Sequence, residues 1–213
     1  MKMSRSRRIL LIEDQPTDAG LITVLLRVGK SVTDTAPPTV VWAKTLAEAK
    51  AETERDTPDV ILLDLNLPDS HGIATIEAVH RWFPDTPIVV LTADEDVGLS
   101  IKALEAGAQD YLIKGDFDPK DLARTLRHAL ARSQLEERVR LQEIALSAAP
   151  NAIVITDPHD RIQWINPAFT ALTGFTLADA VGRTRDELAA SPAAADPPAA
   201  APALSGPDRK SVV

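Results

Sequence analysis

Along the first 130 residues, short apolar runs alternate with stretches in which apolar side chains recur every three or four positions. The runs at 9–12, 40–43, 60–63, 88–91 and 111–113 have the length of strands, and that at 60–63 reads as one buried on both faces. The stretches between them predict helices. Pro16 opens the first, with Leu21, Ile22, Leu25 and Leu26 at helical spacing and Gly29 as its stop, followed by a polar loop to Pro38. Thr45 is placed to cap the second, with Glu48 three residues on as the other arm of a capping box. The third is expected over 71–83, with Ile73, Ile76 and Val79 inward, and the fourth over about 97–106, closed by Gly107. Asp118 and Pro119 supply the cap and first turn of the last. Strands alternating with helices in this way predict an α/β fold, a doubly wound five-stranded parallel sheet with helices on both faces.

The last helix is expected to run on. No proline or glycine occurs from Asp121 to Leu146, and Leu135, Val139, Gln142 and Leu146 recur at four-three-four spacing, a short coiled-coil seam suited to a homodimer. Pro150 breaks it. Residues 152–156 and 161–165 then read as two strands around a turn at 157–160, and Asn166-Pro167 begins a short helix ended by Gly174. From 189 to 207 the chain is mainly alanine and proline, with nothing to bury. The pattern therefore divides the chain into an α/β domain at 7–130, a helical linker at 131–149, a small α+β unit at 150–188 and a disordered tail at 189–213. The final Asp-Arg-Lys-Ser-Val-Val can be encoded by a common sequencing-adapter sequence, so the tail is expected to be a read-through artefact and the natural gene to continue into an output module.

Composition narrows the function. With 45% apolar and 25% charged residues the chain has the mixture of a folded soluble protein, and its formal charge of −8 disfavours a nucleic-acid partner. The absence of cysteine excludes disulfides, thiolate metal sites and cysteine nucleophiles. No apolar stretch approaches a membrane span, and the basic residues 1–8 run into a strand without a cleavage signal, so no membrane partner and a cytoplasmic location are expected.

The candidate chemistry lies where strands end. Glu13 and Asp14 follow the first strand, Asp64 the third, Thr92 the fourth and Lys114 the fifth, all at one edge of the sheet, where open α/β folds hold their ligands. Converging carboxylates repel one another and call for a cation, and an all-oxygen site with few protein donors suits Mg2+. Asp14 and Asp64 are expected as direct ligands, Glu13 directly or through water, and Asn66 through its backbone carbonyl. One Asp64 oxygen then remains to attack phosphorus, with Lys114 neutralising the transferred phosphoryl group and Thr92 hydrogen-bonding one of its oxygens. Singly, each residue has a duller reading: Asp64 as a turn residue, Glu13 and Asp14 as helix caps, Thr92 as a plain strand end, Lys114 as a surface charge. Their shared address makes the set a site. A haloacid-dehalogenase-like phosphatase would need a second aspartate where Asn66 stands, and a dinucleotide site would need a glycine-rich turn where the chain reads Glu-Asp-Gln-Pro-Thr-Asp-Ala-Gly.

Residues 7 to about 130 resemble a response-regulator receiver domain of two-component signalling. The resemblance is carried by Glu13-Asp14, Asp64, Asn66-Leu67-Pro68 with Gly72, Thr92-Ala93, Tyr111 and Lys114. It implies a flavodoxin-like fold and a phosphoacceptor rather than an enzyme with a substrate of its own. Asp64 would be phosphorylated by a sensor histidine kinase, a histidine phosphotransfer protein or a small phosphodonor. It also implies a switch in which Thr92 moves toward the phosphate and Tyr111 turns inward, altering the face of the fourth helix, fifth strand and fifth helix. Gly115 departs from the family pattern, which usually has proline after the lysine. Residues 151–188 resemble the opening of a PAS sensor domain, on Ala-Ile-Val-Ile-Thr-Asp, Ile-Gln-Trp-Ile-Asn-Pro-Ala-Phe, Leu-Thr-Gly-Phe and Val-Gly-Arg, and cover less than half of one. Two other functions fit the sequence: a receiver-like docking scaffold that is never phosphorylated, and a PAS-type small-molecule sensor, which the truncated pocket disfavours.

Overall fold

The computed structural model describes residues 6–28, 37–93 and 97–190, and the chain divides into two compact units, Met1–Glu137 and Arg138–Val213. In the first, β1 (Arg8–Ile12), β2 (Thr39–Ala43), β3 (Val60–Asp64), β6 (Ile88–Thr92) and β7 (Asp110–Ile113) form one sheet in the order β2-β1-β3-β6-β7. Every pairing in it is parallel, and all residues of β3 and β6 are buried. This is the doubly wound, flavodoxin-like sheet expected from the alternating runs.

The two-residue period of a strand distributes its side chains to opposite faces. Ile9, Leu11, Val60, Leu62, Val89 and Leu91 share one core with Ile22 and Leu26 of α1 (Pro16–Val28) and Leu122 and Leu126 of α5 (Pro119–Ser147). Leu10, Ile12, Ile61, Leu63, Ile88 and Val90 share the other with residues of α2 (Leu46–Ala51), α3 (Ile73–Trp82) and α4 (Val97–Glu105). Continuous apolar runs are therefore what a sheet covered on both faces requires.

Several local details differ from the sequence-based expectations. On α1 the inward stripe is Ala19, Ile22 and Leu26, whereas Leu21 points outward. Gly29 and most of the following loop lie outside the described residues. Thr45 Oγ1 accepts from Glu48 N at 3.1 Å as expected, but the Glu48 carboxylate reaches back to Lys44 N rather than Thr45 N. The third helix starts at Ile73 because β4 (Asn66–Leu67) and β5 (Ser70–His71) pair as a short antiparallel hairpin. Gly72 then turns the chain at φ +64, a left-handed conformation open to glycine. Asp118 Oδ1 accepts from Lys120 N and Asp121 N, which is the expected cap of α5.

The second unit pairs β8 (Val154–Thr156) with β9 (Ile162–Ile165) in antiparallel fashion, followed by α6 (Pro167–Thr173), α7 (Leu177–Ala180) and α8 (Arg185–Ala189). Ile162, Ile165, Phe169, Phe175, Ala180 and Leu188 make its core. Asn166 is buried at its centre. Its Oδ1 accepts from Ile153 N and Phe169 N, and its Nδ2 donates to the carbonyls of Ala149 and Asn151. One side chain thus caps α6 and ties down the segment that leaves α5. Gly174 ends α6 in the left-handed region, as its position predicted. The Ala/Pro-rich tail from residue 191 lies outside the described residues. Among those described, no helix is long and apolar enough to cross a membrane.

Candidate functional site

Strand register brings the acids together. Ile12 pairs with Leu63, Asp64 with Leu91, and Thr92 with Ile113. Glu13, Asp64, Thr92 and Lys114 therefore leave the sheet side by side at the carboxyl ends of its strands. The order reverses between β1 and β3, which opens the crevice where such sheets bind ligands. Glu13 N donates to Ala43 O at 3.0 Å and Lys114 N to Thr92 O at 2.7 Å, so these two residues are fixed by ladder bonds continued past the strand. Trp42 Nε1 donates to Glu13 O at 2.7 Å, a further hold on the Glu13 backbone.

One oxygen each from Glu13, Asp14 and Asp64 lies within 4.8 Å of the others. Asp64 is nearly buried; its Oδ1 accepts from Asn66 N at 3.1 Å and its Oδ2 from Lys114 Nζ at 2.7 Å. Glu13 is fully buried, with Oε1 accepting from Gln15 N at 3.2 Å. Glu13 Oε2 lies 2.7 Å from Lys114 Nζ, a charge contact without hydrogen-bond alignment. Gln15 also donates through Nε2 to Asp14 Oδ2 at 2.8 Å.

The electrostatics follow from burial. Loss of solvent pushes the Glu13 carboxyl above its ordinary range; the Lys114 ammonium pulls it down and the Asp64 charge pushes it up, leaving it raised. For Lys114 burial opposes the ammonium, but its hydrogen bond to Asp64 and the adjacent carboxylate charges of Asp64 and Glu13 outweigh it and hold the group above the ordinary lysine range. Three converging carboxylates against one ammonium leave an excess of negative charge, and the donors are all hard oxygens. That donor set, with the unaligned Glu13 Oε2, fits a small divalent cation such as Mg2+.

Of the other residues singled out from sequence, Thr92 is buried at the end of β6 next to this group. Tyr111 is half-buried on β7 and packs against the core that holds Ala103 and Val90. Gly115 adopts φ +88, which the ring of a proline forbids, so this loop takes a different course from one with proline after the lysine. Two acids escaped the sequence reading. Asp18 Oδ2 lies 3.2 Å from Lys114 Nζ. Asp14 stands before α1 begins, so helical spacing does not relate the two, and the contact depends on where the first turn of α1 faces. Asp69 accepts from Leu46 N at 3.0 Å and Ala47 N at 3.1 Å, tying the loop after Asp64 to the start of α2; nothing in the sequence pairs those segments.

The sequence matches the family model of the response regulator receiver domain over residues 9–127 and that of the PAS domain over residues 140–202. The second match is wider than the stretch recognised by its motifs. The DNA-binding response regulator MtrA of Mycolicibacterium smegmatis is 38% identical over 130 residues, 61% of this chain and 53% of the relative. The transcriptional activator protein IrlR of Burkholderia pseudomallei is 33% identical over 135 residues, 63% and 55% of the two chains. The chain thus spans about half the length of these curated relatives. Among solved structures, the receiver domain of a sensor histidine kinase from Pseudomonas aeruginosa PAO1 is 29% identical, with a TM-score of 0.50. That similarity covers 60% of this chain and 99% of that one, which was solved with a magnesium ion coordinated in its active-site cleft.

Proposed function

This chain belongs to the response regulator receiver family, and on that premise we propose that it accepts a phosphoryl group on Asp64 and relays the event as a conformational signal. The observation that carries the reading is the Asp64 carboxylate held between Asn66 N and Lys114 Nζ beside the two acids that follow β1. An Asp64 oxygen attacks phosphorus, an O–P bond forms, and the bond from phosphorus to the donor breaks with its electron pair leaving on the donor. That donor is a histidine nitrogen of a sensor histidine kinase or histidine phosphotransfer protein, or the acyl oxygen of a small phosphodonor. Lys114 keeps its ammonium against the reacting carboxylate and neutralises negative charge on the phosphoryl oxygens. Thr92, at the neighbouring strand end, gives a hydroxyl to one of those oxygens. Glu13, Asp14, Asp64 and the Asn66 carbonyl would hold Mg2+, which when bound supplies positive charge beside the phosphoryl group.

The switch belongs to the same reading. Thr92 and Tyr111 lie on the adjacent strands β6 and β7, so a shift of the Thr92 hydroxyl is next to the strand that carries the tyrosine ring. The 131–149 segment would act as the linker and 150–188 as the PAS portion. α5 supplies a dimer seam, since Leu135 and Val139 are exposed along it.

Incubation of the full chain with Mg2+ and acetyl phosphate tests the central step by intact-protein mass. The expected result is one added phosphoryl group, lost in Asp64→Asn and retained in Asp69→Asn. A folded chain that takes no label favours the docking scaffold instead.

A further inference from the structure

An ammonium has three N–H donors, and three carboxylates surround that of Lys114. Glu13 Oε2 and Asp64 Oδ2 lie at 2.7 Å and Asp18 Oδ2 at 3.2 Å. The first two belong to the acids that converge at the strand ends. Asp18 does not: it sits in the first turn of α1 and is outside that convergent group. Its side chain is 40% exposed, against 0% for Glu13 and 5% for Asp64, so its charge lies on the solvent side of the cluster.

Two effects of the same sign follow. A phosphodonor is an anion that must arrive from solvent, and a partly exposed carboxylate on that side repels it. The ammonium is needed at the phosphoryl oxygens, and a carboxylate on α1 draws it the other way. We propose that Asp18 is a positioning residue that holds the Lys114 ammonium toward α1 and so restrains phosphoryl transfer to Asp64. The proposal rests on the reading of Asp64 as phosphoacceptor. A purely structural role for Asp18 is available, because an acid in the first turn favours the helix dipole. That role changes stability and leaves no reason for faster chemistry.

The full chain and its Asp18→Asn, Asp18→Ser, Asp18→Glu and Asp64→Asn variants are compared by initial rate of labelling with Mg2+ and acetyl phosphate at low and high salt. Asp18→Asn and Asp18→Ser are expected to label about two- to fivefold faster at low salt, the size of effect of one partly exposed charge pair. The ratio falls toward one at high salt, where that charge is screened, and Asp18→Glu keeps the slow rate. Circular dichroism shows that each variant is folded. Labelling of both neutral variants at the wild-type rate or slower overturns the proposal, as does a speed-up that ignores salt. If the wild type takes no label that Asp64→Asn lacks, the phosphoacceptor reading fails and the restraint with it. Unchanged rates in a chain that does label sink the role of Asp18 alone.

Discussion

Lys114 is where the charges of the site are balanced. Its ammonium is mostly buried and touches two carboxylates that are more buried still. Taking it away leaves those acids without a counter-charge, which costs on the order of 3 kcal/mol where a buried pair is broken. Lys114→Met is therefore expected to melt well below the wild type in chelator, with added Mg2+ raising its melting temperature more than it raises the wild type's. Equal Mg2+ shifts in the two proteins would contradict this. Glu13 gives a pH dependence of definite sign. Its folded carboxyl is raised above the ordinary 4.5, so across the window just above 4.5 the folded state binds more protons than the unfolded one. Stability contributed by this group falls as pH rises through that window, and Mg2+ affinity, which needs the ionised carboxylate, falls as pH drops through it. Urea midpoints and Mg2+ titrations from pH 4.5 to 7 should lose both trends in Glu13→Gln. At the alkaline end Lys114 acts with the same sign: raised above 10.5, it contributes stability fully present below that pH and lost above it. Glu13, Asp14, Asp64, Thr92 and Lys114 were legible because a buried strand ends at one place on the sheet. Asp18 and Asp69 were obscure because their roles depend on how a helix faces and where a loop lies, which no period in the sequence records.

The elements around the site carry their own tests. α2 depends on two outside acceptors: Thr45 takes Glu48 N, and both oxygens of Asp69 take Leu46 N and Ala47 N. Removing Asp69 as Asp69→Ala should cost about 1 kcal/mol, the value of a helix cap, read as a lower melting temperature. Asp64 labelling persists because neither Asp69 oxygen is among the convergent acids. Gly72→Ala meets open space but must hold φ +64 with ψ −143, a conformation close to the region kept for glycine, so about 2 kcal/mol is lost to backbone conformation alone. The five long runs and the α5 cap were readable from burial and capping chemistry. The hairpin at Asn66–Leu67 and Ser70–His71 was not, since two-residue strands have no periodicity to detect. Asn166 was visible as the cap of α6, but its bonds to the carbonyls of Ala149 and Asn151 join segments that local rules treat separately. Asn166→Ala, which also orphans Ile153 N, is expected to destabilise the second unit by about 2 kcal/mol.

For the whole molecule, a receiver unit and a PAS-like unit sit on one chain that spans about half of its curated relatives. Those relatives are named as transcriptional and DNA-binding regulators. The exposed Leu135 and Val139 make self-association through α5 testable: Val139→Asp should shift the full chain to a smaller species in sedimentation if the seam is used. After incubation with Mg2+ and acetyl phosphate, borohydride reduces an aspartyl phosphate to homoserine, and peptide mass spectrometry locates the converted residue. Homoserine at position 64 and at no other aspartate is the expected result. Conversion elsewhere, or none in a folded chain, would contradict the assignment of Asp64.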